Sequence, residues 1–70
     1  MTVYIIEGVL GSVVGRASST EEVQRIVLGQ LALSDKAQRT LRNKLAAARV
    51  GGKVDLDYGG SGVTIHVRDE

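Results

Sequence analysis

The 70-residue sequence contains no cysteine and no proline, and each absence removes a class of protein from consideration. Without cysteine there is no disulfide framework, no thiolate nucleophile and no cysteine-based metal site, so a reducing cytoplasm is the expected setting. Without proline, and with no linker-like run or internal repeat, residues 1–70 read as one continuous small domain. No apolar run approaches the ~18 residues a membrane span needs. The N-terminus also lacks the basic region and small-residue cleavage site of a signal peptide. A formal net charge of +1 supplies no whole-molecule field toward DNA or anionic lipid, so any such attraction must be local. A domain this small buries only roughly 60% of the surface of its unfolded chain, and pairing into a homodimer would relieve so thin a core.

What is present is 43% hydrophobic residues with both charge signs interspersed, the composition of a globular chain. "TVYIIE" (2–7) is β-branched and aromatic and reads as a strand. In "SSTEEVQRIVLGQLALS", Ser19 stands three residues before Glu22, the spacing of a capping box, so a helix starts near Thr20. Val23, Ile26, Val27, Gln30 and Leu31 share its apolar face, Glu21 and Arg25 stand at pairing distance, and Leu28 falls outside the stripe. Ser34 caps a second helix read over 35–50, with Ala37, Leu41, Leu45 and Ala48 toward the core and Gly51 as a left-handed C-cap. The short connection predicts an antiparallel helical hairpin.

"KVDLDYGGSGVTIHVRD" alternates apolar and polar residues on both sides of a glycine-rich turn. A turn at Gly60-Ser61 pairs Tyr58 with Val63, Leu56 with Ile65 and Val54 with Val67, with one buried face and one wet face. In that register His66 faces Asp55 on the wet side.

"EGVLGSVVGRAS" (7–18) spreads three glycines among valines and leucines. As a phosphate-binding loop it fails: three residues separate the glycines of "GSVVGRAS", Arg16 replaces the lysine, and Ala17 stands where a metal-binding hydroxyl belongs. As a helix it would carry three glycines and three valines in twelve residues. A hairpin fits better, with a type II′ turn at Gly11-Ser12. Leu10 then pairs with Val13, Val9 with Val14, Gly8 with Gly15 and Glu7 with Arg16.

The expected fold is therefore α+β, in the order ββααββ, with two hairpins forming one antiparallel sheet covered on one face by the helical hairpin. The alternative, with a helix over 8–15, is the order βαααββ, which is similar to that of Cro-type repressors and winged-helix domains. Its helix-turn-helix would set Arg25 where alanine is expected and Asp35 where an apolar residue should pack, so no family is assigned.

Catalysis is not expected, and no cofactor or metal is implied. His66 is the single histidine and has no nucleophile beside it in the sequence pattern, and Asp55 and Asp57 alone are too few oxygen ligands for a hard cation. The informative feature is the second helix, where Lys36, Arg39, Arg42, Lys44 and Arg49 accompany only Asp35. Guanidinium groups at helical spacing suit carboxylates on a protein partner or phosphates. The sequence thus predicts a non-enzymatic interaction module, an inhibitor, adaptor or accessory subunit, that uses Lys36, Arg39, Arg42, Asn43 and Arg49, the off-stripe Leu28 and a sheet edge. The second reading is a small DNA-binding regulator using the same helix, with Asn43 at a base edge.

Overall fold

Two strands rich in β-branched residues and two of alternating pattern build one sheet, and two serine-capped segments build the helices that cover it. The order is β1 (Thr2–Glu7), β2 (Val13–Ala17), α1 (Thr20–Gln30), α2 (Asp35–Ala47), β3 (Lys53–Tyr58) and β4 (Ser61–Asp69). The structure, a computed structural model, describes residues 1–8, 11–58 and 61–70, with the side chains of Asp57, Tyr58 and Ser61 left aside. The strands form one antiparallel sheet in the order β2-β1-β4-β3, so the two hairpins join through β1 and β4 and leave β2 and β3 as edges. This is the ββααββ arrangement, and the three-helix alternative is overturned because β2 occupies the chain that its first helix would need.

The first hairpin forms with a different closure from the expected one. Gly8 N–H donates to Ser12 C=O (2.9 Å) and Gly11 N–H to Gly8 C=O (3.0 Å), with Gly11 at φ +78°. Glycine thus supplies the positive φ, but in a loop closed by Gly8 and Ser12. Ile5 opposes Arg16, Ile6 opposes Gly15, and Glu7 opposes Val13, with Val14 as the extra residue of a bulge. The Gly8–Gly15 and Glu7–Arg16 pairs are therefore replaced, and Arg16 forms its ion pair with Glu70. The expected partners Val9 and Leu10 lie outside the described residues.

The second hairpin is displaced by two residues from the expected pairing: Val54 opposes Ile65, Leu56 opposes Val63, and Tyr58 opposes Ser61. A slip of two preserves the face of every side chain, so Val54, Leu56, Val63, Ile65 and Val67 are all buried as the alternation requires. His66 consequently faces Lys53, and Asp55 faces Thr64, whose Oγ1 donates to Asp55 Oδ1 at 2.9 Å.

Both serine caps form. Ser19 Oγ accepts from Glu22 N–H and Ser34 Oγ from Ala37 N–H, each at 3.2 Å. The return arm of the expected capping box goes elsewhere, because Glu22 Oε1 accepts from the Ser18 hydroxyl. Val23 and Val27 of α1 and Leu41 and Leu45 of α2 meet Ile6, Ala17 and the buried residues of the sheet, while Ile26, Leu31, Leu33, Ala48 and Tyr4 pack around them. Gln30 is exposed rather than part of this face, and no salt bridge joins Glu21 to Arg25 among the described residues.

Helix α2 ends at Ala47, three residues short of the expected boundary, with Ala48 as its extended C-cap. Gly51, at φ +89°, sits not at the helix end but in a turn closed by Gly52 N–H donating to Arg49 C=O. Gly51 N–H then donates to Val67 C=O, and Val67 N–H to Gly52 C=O, so this turn leads directly into the β3–β4 ladder. Gly51→Ala should lower stability by about 1 kcal/mol, because a Cβ disfavours positive φ. An unaltered denaturant midpoint would contradict that strain.

Candidate functional site

Five of the nine Lys and Arg, but one of the eight Asp and Glu, lie within residues 35–49, leaving four cations against seven anions in the rest of the chain. The fold concentrates this bias on one side. Leu41 and Leu45 anchor α2 on the core, so Lys36, Arg39, Arg42 and Asn43 project from its remaining surface, and all four are exposed. Arg49 is exposed too, but it lies beyond the helix in the turn before β3 and does not continue the helical stripe. Among the described residues, none of Lys36, Arg39, Arg42, Lys44 and Arg49 takes part in a salt bridge. Their charges are therefore not spent within the fold.

Lys44, on the side of α2 nearest β3, extends this surface. With Lys53 it flanks an open groove of about 440 Å³, whose other walls are Ala47, Ala48, Val54 and Asp55. Lys53 is legible in the sequence only as a strand residue, since its place in this lining depends on how α2 lies beside the β3 edge. Asp55 contacts Lys53 across 3.8 Å between two exposed side chains, a weak pair that leaves the lysine available. Leu28 is 39% exposed, as its place outside the apolar stripe of α1 predicts, and stands on the other helix.

The outer face of the sheet holds a second polar group that the expected register did not anticipate. His66 Nε2 lies 2.9 Å from Glu7 Oε1 on the neighbouring β1, not beside Asp55. The two strands place these residues on a diagonal, because Glu7 faces Thr64 and Ile5 faces His66. The Glu7–His66 geometry does not meet that of a hydrogen bond, so this is a close contact and His66 Nε2 is left without a formed partner. The group spans two paired strands, with Glu7 as the last residue of β1 and His66 inside β4. Among the described residues, no three His, Cys, Asp or Glu come together in a way that could hold a metal ion.

No helix among the described residues is long and apolar enough to cross a membrane. Comparison with protein-family models, with curated protein sequences and with solved structures finds no match, so the chemistry of these surfaces is what speaks to function.

Proposed function

We propose that this domain is a non-catalytic interaction module that holds an acidic protein surface against the exposed side of α2 and the adjoining β3 edge. The observation that carries this reading is the cluster of Lys36, Arg39, Arg42, Lys44 and Arg49, all exposed and without internal ion pairs among the described residues. Exposed arginines at positions i and i+3 of one helix suit bidentate pairing with carboxylates, and Asn43, one turn beyond Arg39, adds a neutral donor and acceptor. Lys44 brings a further cation to the groove beside β3. The cysteine-free composition is in keeping with work in the cytoplasm.

A protein partner is favoured over nucleic acid because the three-helix order that resembled DNA-binding domains is not the order of this chain. The test compares the wild type with a triple variant, Arg39→Ala, Arg42→Ala and Arg49→Ala. All three positions are exposed, so the melting temperature should hardly move. The immobilised wild type should retain an acidic protein from lysate that the variant loses, and duplex DNA should not bind even at low salt. Equal capture by both proteins would refute the proposed contact. Duplex binding that weakens with salt, with a log–log slope of about −2.7 for three phosphate contacts, would transfer the site to nucleic acid.

A further inference from the structure

The two sheet edges differ in a way that assigns them different tasks. Natural edges are commonly protected by charge, and β3 carries Lys53 and Asp55 on its outer face. Along β2 the first three residues are Val13, Val14 and Gly15, and the two valines are 58% and 38% exposed. Its one charged residue, Arg16, is paired with Glu70 of the same chain. An uncharged apolar edge is a template for another strand.

We infer that β2 pairs with β2 of a second copy about a two-fold axis, joining two four-stranded sheets into one of eight strands. The position of α1 is what selects a second copy over an isolated foreign strand. Helix α1 lies against both β1 and β2, hence over the seam between them, about half a strand spacing inside the edge. With neighbouring strands about 4.8 Å apart, the two-fold sets the α1 axes of the two copies two spacings apart, ~9.6 Å, within the 8–10 Å of packed helices. A lone strand would leave that side of α1 uncovered.

The same geometry sets the register. Gly15 lies directly under Ile26, since a Cβ placed on it would come within 3.0 Å of Ile26 Cδ1. An axis through Gly15 therefore brings Ile26, half-buried in the single chain, toward Ile26 of the second copy. Gly29, one turn further along α1, has open space around its Cα and leaves room for that approach. On the outer face of the sheet this register sets Val14 beside Arg16 of the second copy. Centring on Arg16 instead would oppose two like charges, which disfavours it. The dimer leaves both α2 surfaces at its outer ends, and it does not depend on what those surfaces bind.

The experiment is sedimentation equilibrium of the full chain and of two variants, Val14→Lys and Val14→Glu, each confirmed as folded by far-ultraviolet circular dichroism. The wild type should dimerise at micromolar concentration. Lysine at position 14 meets Arg16 twice per dimer and should raise the dissociation constant about tenfold or more, whereas glutamate meets opposite charge and should leave it unchanged or lower it. A wild type still monomeric at millimolar concentration would overturn the inference. So would any result in which lysine does not weaken the dimer more than glutamate does.

Discussion

Replacing Leu41 with alanine is expected to remove most of the stability of this domain. A 70-residue chain is only about 3.5–10.5 kcal/mol more stable than its unfolded state at the usual 0.05–0.15 kcal/mol per residue. Leu41 is fully buried where α2 meets the sheet, in one cluster with Val27, Leu45, Ile65 and Leu56. Truncation deletes the transfer free energy of the side chain and leaves a cavity, together about 2–5 kcal/mol. Collapse around the void is limited, because Leu41 and Leu45 are the only fully buried anchors of α2 among the described residues. For a domain of this length the loss corresponds to a fall in melting temperature of roughly 10 °C or more. A thermal melt within a few degrees of the wild type would show that α2 contributes much less to the core than its burial implies. The same variant should weaken partner capture, since the basic residues of α2 are held in place by this anchor.

Leu41 was legible in the sequence, and the reason is the strength of its signal. The helical repeat of Leu41 and Leu45, the serine caps and the alternation in both halves of the last hairpin all lie within short windows. Such patterns decide which face of an element is buried, and the burial of Val54, Leu56, Val63, Ile65 and Val67 follows from alternation alone. They do not decide pairing. Because side chains repeat every two residues, pairing Leu56 with Ile65 or with Val63 buries the same set, and hydrophobic pattern cannot separate the two. Alternation alone therefore allows His66 to stand beside Asp55, whereas it lies beside Glu7 because β1, a strand from the other end of the chain, fills the opposite side of β4.

The end of α2 is not legible in the sequence for a different reason. Residues 48–50 are Ala, Arg and Val, and nothing in that run stops a helix locally. The chain leaves the helix because Gly51 and Gly52 are drawn into hydrogen bonds with Val67, 15 or more positions away. Arg49 is thereby moved from the helical stripe into the turn beside β3. The basic surface survives this change, since it depends on exposure and not on strict helical periodicity, but it spreads toward the Lys44–Lys53 groove.

Gly15→Val is the second substitution expected to cost much, and it tests how β2 meets α1. In the register around the bulge, Gly15 opposes Ile6 and its Cα faces the helices. A Cβ there would stand 3.0 Å from Ile26 Cδ1 and 3.1 Å from Ile26 Cγ2. Rotation of one terminal methyl cannot relieve both, because Cγ2 branches next to the α1 backbone. Either β2 moves outward, stretching its pairing with β1, or α1 lifts from Val23 and Val27. Overpacking of this kind costs about 1–3 kcal/mol. Valine rather than alanine makes the outcome sharper, since its higher strand propensity would otherwise be stabilising. Ile26→Ala alone should also destabilise, by opening a void over the bare glycine. Combined with Gly15→Val it should recover much of the loss, because the new side chain fills the space that Ile26 vacates. The two changes are therefore expected to be non-additive by at least about 1 kcal/mol, the coupling typical of side chains in direct contact. Denaturant unfolding of the four proteins at a concentration well below the wild-type dimer dissociation constant, where each is monomeric by sedimentation, yields that coupling directly. Additive costs would mean that position 15 does not face Ile26, and that the bulge at Val14 does not set that orientation.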